Sequence, residues 1–251
     1  MIFAGLAPVA TPAPARHLVY AFTYAGSQSE VVHDLGVGSS GQLDARAMGN
    51  VGTAGATQPE MATAPSEGVD GNGQTDRGSI VVDVLHLQPD TGLVLSVSET
   101  AEGRRSAAPA TCVVYGDTKV ACEAGARVNG EELALLRVLG PTFVDPARLD
   151  AKNHWRVDDS GRDGSSVADY QIEKTTDGVM AIAELRVVTI PGAQGYTSTA
   201  NGAISYDVAH AIPTKIVDDE VVRQNEGVGN VTTVRVRTTL TLTADSGITK
   251  H

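Results

Sequence analysis

Aromatic residues are scarce, at 4% of this 251-residue chain. A core of any size must therefore be built mainly from Val, Leu, Ile and Ala. Basic residues are also few, 19 against 30 acids, which leaves a formal net charge of −11. Binding to a nucleic-acid duplex draws on displaced phosphate counterions and needs a basic surface. Anionic membrane surfaces make the same demand. The densest basic stretch is Arg235 with Arg237, so nucleic acid is not an expected partner and the acidity reads as a solubility feature. No apolar run approaches the roughly 20 residues of a membrane-spanning helix. No G-x-S-x-G elbow, H-E-x-x-H pair or C-x-x-C pair is present, so no nucleophile, zinc site or cofactor is signalled by motif. A triad assembled from distant residues stays open, because sequence order does not constrain triad geometry.

The chain does hold 41% hydrophobic residues and 27 glycines. That is enough for a sizeable core, with the surplus of Gly that many turns between many short strands require. The opening segment, Met1 to Ala7, is apolar and small and runs into Ala13-Pro14-Ala15, which resembles a signal-cleavage site. Residues 1–16 are read as the remnant of a signal peptide or as a linker, and 17–251 as one β-rich domain. The expected location is extracytoplasmic, periplasmic or secreted.

Both cysteines fall in one short segment. Val113 to Tyr115 is strand-like, Gly116-Asp117-Thr118 is turn-like, and a second arm follows. In a hairpin centred on Asp117, Cys112 lies opposite Cys122. Directly opposed Cα atoms are about 4.5–5.5 Å apart, within disulfide range. A Cys112–Cys122 bond is predicted from local geometry.

Leu18 to Tyr24 alternates, with Tyr20, Phe22 and Tyr24 on one side. This stripe is either ordinary core or the wall of an apolar ligand cavity. Ser29 to Val37 reads as a second strand. From about 38 to 78 the chain turns Gly-, Ala- and Thr-rich without periodicity and is expected to form a flexible loop. At its start, Gly36 to Gly41 matches G-x-G-x-x-G but lacks the strand–helix crossover that a dinucleotide site needs. Asp70, Asn72 and Asp76 place oxygen donors at alternate positions, as calcium loops do, without the closing bidentate acid. They are carried as candidate metal ligands beside the plainer reading of a polar loop.

Ile80–Leu87 and Leu93–Ser98 flank Pro89-Asp90-Thr91-Gly92 as a hairpin. One helix is predicted, with Asn129 as N-cap, Glu131 and Glu132 in its first turn, and Gly140-Pro141 as its stop. Phe143 and Trp155 flank a further connection. Asp177-Gly178 and Asn201-Gly202 both read as hairpin turns, and Thr214–Gln224 with Val231–Thr243 as a final pair. The carboxylates at 158–159 and 218–220 are expected on solvated edges, since neighbours on a strand face opposite ways. Ten or more antiparallel strands must curl into a half-barrel, barrel or sandwich, carrying one short packed helix.

The expected function is non-enzymatic: an exported protein that binds or carries an apolar small molecule, lipid or other amphipathic ligand. The alternatives are a structural or interaction module of the cell envelope and a hydrolase with an Asp/His site assembled by folding. No protein partner is indicated.

Overall fold

The computed structural model describes residues 14–33, 74–88, 92–103, 108–126, 128–140, 142–161, 164–191, 196–227 and 230–247. Residues 1–13 and 34–73 lie outside these, and with them most of the 1–16 segment read as an N-terminal remnant, the G-x-G-x-x-G match, Asp70, Asn72 and most of the predicted loop; Arg16, counted with that remnant, opens the first strand.

The described chain forms one antiparallel sheet of eleven strands. A first meander runs outward through β1 (Arg16–His33), β2 (Gln74–Gln88), β3 (Gly92–Ala101), β4 (Ala110–Val114) and β5 (Val120–Cys122). Helix α1 (Gly130–Arg137) and a short 3-10 turn (Pro146–Arg148) then carry the chain to the far edge. From there β6 (His154–Gly161), β7 (Gly164–Thr176), β8 (Val179–Ile190), β9 (Tyr196–Asp207), β10 (Ile212–Gly227) and β11 (Asn230–Asp245) meander back until β11 pairs with β1. The spatial order is β5-β4-β3-β2-β1-β11-β10-β9-β8-β7-β6, so the first and last strands sit together in the middle and the edges β5 and β6 do not pair. The sheet is curved and open.

The register explains why one face is apolar. Ile182 of β8 opposes Ile204 of β9, which opposes Ile216 of β10, then Leu240 of β11, then Phe22 of β1. Because side chains alternate between faces, this row and its neighbour Leu18, Val82 and Val97 all point inward, and all are buried. The opposite parity, Thr239, Thr241, Arg235 and Arg237 on β11, faces water. The predicted alternation of the last strand is therefore present, and Arg237 lies 3.7 Å from Asp219 on the outer face.

Gly78 of β2 sits opposite Phe22. A Cβ there would lie 2.1 Å from the Thr100 carbonyl oxygen and 2.5 Å from the Phe22 ring. The ring occupies the space of the missing side chain.

Helix α1 lies on the inner face and touches β5 and β11. The Glu132 side chain accepts from the Asn129 backbone amide at 2.8 Å, one half of a capping box. Leu135, Leu136, Val138 and Leu139 are buried beneath it. Phe143, just beyond, packs edge-on against Trp155 and Tyr170 at 5.5 and 5.1 Å. The Tyr206 hydroxyl donates to the Gly140 carbonyl at 2.7 Å and pins the end of the helix to β9. Residues from β3 and β4 share one core with residues from β6 to β9, so curling has brought the two halves of the sheet around the helix.

The cysteine hairpin forms as expected. Cys112 opposes Cys122, and the sulfurs are bonded with Cα atoms 4.0 Å apart. Asp177 and Gly178 both take positive φ, 51° and 79°, at the β7–β8 turn, as that dipeptide predicts.

Other expectations are corrected. Asn201-Gly202 is no turn; β9 runs through it from Tyr196 to Asp207. Cross-strand pairing on both sides overrides the local turn preference, and Gly202 is used for clearance. Ser29 to His33 continues β1 and makes no second strand, with Asn230–Thr233 of β11 as its partner. Strand order resumes at Gln74, ahead of the predicted Gly78. No strand is predicted directly after Trp155, yet β6 runs from His154 to Gly161 and pairs Trp155 with Tyr170.

Candidate functional site: a seam cavity beside a buried charge network

Two features of the inner face are not ordinary core. The first is a charge network on β7, β8 and β10. Tyr170, Glu184, Gly202 and Asp218 occupy one cross-strand row, and Ala168, Arg186, Ala200 and Glu220 the next. The β9 members are Gly202 and Ala200, so β9 forms a shallow trough between two walls of longer side chains. A Cβ on Gly202 would lie 2.7 Å from Glu184 Oε2 and 3.0 Å from Glu184 Cβ. Across this trough the Arg186 Nη2 reaches Asp218 Oδ2, an ion pair with both side chains buried. Arg186 Nε lies 3.4 Å from Glu184 Oε1, and the Tyr170 hydroxyl donates to the same oxygen at 3.2 Å.

The electrostatics follow from burial. Desolvation penalises the Asp218 carboxylate most; Arg186 opposes this, and Glu184, Glu220 and Asp219 add repulsion, so its pKa is raised to about 7. Burial also works against the Arg186 charge, but Glu184 and Asp218 outweigh it and the guanidinium is held charged. Burial followed by Glu184 pushes the Tyr170 phenol well above its ordinary value. The expectation that the 218–220 acids form a solvated edge is overturned for Asp218, because β10 is an interior strand and Asp218 points inward. Asp219, one position on, faces out toward Arg237, as strand alternation requires. Asp158 and Asp159, on edge strand β6, are exposed.

The second feature is a cavity of about 170 Å³ at the seam where the sheet edges approach. Thr118, Lys119 and Val120 line it from the β4–β5 hairpin; Val157, Asp159, Ser166, Ala168 and Tyr170 line it from β6 and β7. Leu133 and Arg137, one helical turn apart on α1, form its roof, and Arg186 stands in its wall. The exposed Lys119 and Asp159 mark its mouth. Lys119 is paired with Asp117 at 3.1 Å.

The predicted ligand stripe lies to one side of this cavity. Tyr20 and Phe22 are in the packed core, with the Tyr20 hydroxyl donating to the Pro213 carbonyl at 3.0 Å. Tyr24 is half-buried and packs against that core. Asp76 sits on β2 opposite Tyr24, on the inner face. Among the described residues, no group of three or more His, Cys, Asp or Glu side chains is arranged to hold a metal ion.

Sequence reasoning missed Tyr170, Glu184, Arg186 and Arg137. A signal existed for two of them. Glu184 and Arg186 share the inward parity of Ile182 and Val188 on one strand, and a charged pair at buried parity violates the binary pattern.

No protein-family description matches the chain, and no curated protein does. Among solved structures, a lipovitellin determined in work on its lipid–protein interactions superposes on 95% of this chain, at a TM-score of 0.46 and 11% identity. The aligned region is 26% of that lipovitellin chain.

Proposed function

We propose that this protein is an extracytoplasmic, non-enzymatic carrier of an amphipathic ligand held on the inner face of its curved sheet. The observation that carries the proposal is the composition of that face beyond the helix. Past the charge network the inward rows become apolar again: Val188 of β8, Val222 of β10 and Val234 and Val236 of β11, each only half-buried. Ile190 and Tyr196, paired at the end of β8 and β9, are exposed at 37% and 36%. An apolar surface left wet beside a buried polar cluster matches a ligand with an apolar body and a polar end. Tyr24, at the border between the packed core and this open part, belongs to the proposed contact surface.

The disulfide supports the location, since such bonds persist in oxidising compartments. The buried carboxylates give the hydrolase alternative less support, because Arg186 engages both Asp218 and Glu184.

The test is a titration of the full chain with dodecyl maltoside below its micelle threshold. Trp155, the single tryptophan, stacks on Tyr170 at 5.1 Å, and Tyr170 lines the cavity. A saturable change in its emission is expected. An unchanged spectrum across the titration contradicts the proposal.

A further inference from the structure

Arg137 is the anomaly of the inner face. It belongs to a chain of net charge −11, it is half-buried, and among the described residues no carboxylate lies within ion-pair distance of it. Every other positive side chain around the cavity has its own carboxylate: Lys119 has Asp117, and Arg186 has Asp218 and Glu184. Taking a guanidinium partly out of water without a directly paired carboxylate is costly, and Glu184 and Asp159 act on Arg137 only from beyond ion-pair distance. Burial, with Arg186 nearby, accordingly lowers its pKa, yet an arginine stays protonated in any case.

The surroundings of Arg137 are those of an anion seat. The cavity beneath it is lined by Lys119, Arg137, Arg186 and Asp159 and by the hydroxyl residues Thr118, Ser166 and Tyr170; with Lys119 held by Asp117 and Arg186 by Asp218 and Glu184, Arg137 is the lining cation that has no ion-pair partner among the described residues. Its volume of about 170 Å³ is below the roughly 300–1,000 Å³ of pockets that enclose a whole drug-sized ligand. It is large enough for a headgroup. A guanidinium presents paired N–H donors that match the oxygens of phosphate or carboxylate.

The geometry points to a binding site for an oxyanion, phosphate-like or carboxylate, in the seam cavity, with Arg137 as its principal ligand and Ser166 and Lys119 beside it. This rests on the carrier reading in one respect: the anion is the headgroup of the amphipathic ligand, with the apolar body continuing onto the open inner face.

The experiment titrates the full chain with inorganic phosphate, dodecyl phosphate and dodecyl maltoside, read by calorimetry and by Trp155 emission, and repeats it on Arg137→Gln and Arg137→Lys. Dodecyl phosphate is expected to bind more tightly than either of the others. Arg137→Gln is expected to weaken dodecyl phosphate by about tenfold, the scale of one charge-assisted hydrogen bond. It weakens dodecyl maltoside much less than dodecyl phosphate, while Arg137→Lys retains most of the phosphate affinity. If Arg137→Gln fails to fold by circular dichroism, competition on the unaltered chain decides: inorganic phosphate must displace dodecyl phosphate and must not displace dodecyl maltoside. Equal loss of both amphiphiles, no loss of dodecyl phosphate, or absence of competition overturns the anion site and leaves the carrier standing. Arg137-dependent binding of inorganic phosphate with no binding of either amphiphile keeps the site, as one for a free anion, and removes the carrier. No binding of phosphate or dodecyl phosphate overturns the site outright.

Discussion

The Glu184 side chain lies over Gly202: a Cβ at position 202 would stand 3.0 Å from Glu184 Cβ and 2.7 Å from its Oε2. The glycine is the clearance that lets a buried carboxylate bridge the Tyr170 hydroxyl and Arg186. In most strands Gly→Ala is mildly stabilising or neutral through the unfolded state. Here Gly202→Ala is expected to destabilise by about 1 kcal/mol, the scale of one buried hydrogen bond strained or lost. In a Glu184→Ala background the same substitution is expected to cost nothing. Urea denaturation of the four chains forms the cycle that measures this coupling; additive effects would mean the contact has no energetic role.

Gly78 meets a harder obstacle. Its neighbours are the Thr100 backbone oxygen and the Phe22 ring, and neither can step aside as a flexible side-chain tip can. Gly78→Ala is expected to cost about 3 kcal/mol or more, within the range for overpacking and lost core contacts. Thermal unfolding followed by circular dichroism reads it. A midpoint within a degree of the unaltered chain would contradict the packing described for β1 and β2.

Stability is expected to fall as pH rises from about 4 to 7. The sign comes from Asp218, whose folded pKa is raised to about 7 from the ordinary 3.8. Between those values the folded chain binds more proton than the unfolded one, so raising pH favours unfolding, by at most about 1.4 kcal/mol per pH unit. Asp245, lowered by its hydrogen bond from Arg16, acts oppositely, and its contribution is lost only below about pH 4. Asp218→Asn is expected to flatten the profile between pH 4 and 7 and leave the acid limb in place. Denaturation midpoints across that range for both chains check this; the same slope in both would assign the titration elsewhere.

Reducing the Cys112–Cys122 bond is expected to lower stability by about 2–3 kcal/mol without changing the fold, because the loop it closes is short. The measurement is the urea midpoint with and without reductant, compared with the Cys112→Ala/Cys122→Ala chain. Loss of sheet content on reduction would mean that the bond determines the fold.

Much of the architecture was legible because its signals are local. The Cys112–Cys122 hairpin, the Asp177-Gly178 turn, the Asn129 cap and the alternation of β11 each depend on a few consecutive residues. The errors arose where a distant partner decides the outcome. Asn201-Gly202 carries the same local signal as Asp177-Gly178, but β8 and β10 on either side hold it extended. β6 is a strand because β7 pairs with it, and its sequence hardly alternates. The charge network was hidden for the same reason: Arg186 and Asp218 are 32 residues apart and meet only because β9 between them is small at Gly202 and Ala200. Arg137 falls inside the predicted helix without any mark of its own; in the structure it is the last helical residue, and the cavity beneath it exists only once both sheet edges have curled to the same seam.

The central claim, that the inner face carries an amphipathic molecule, is tested most directly by native mass spectrometry of the full chain exported and purified from a bacterial host. A carrier is expected to show a mass above that of the chain, lost on denaturation, and identifiable in the released fraction as a molecule with an apolar body and an anionic end. A bare chain mass, unchanged after incubation with dodecyl phosphate, would contradict it.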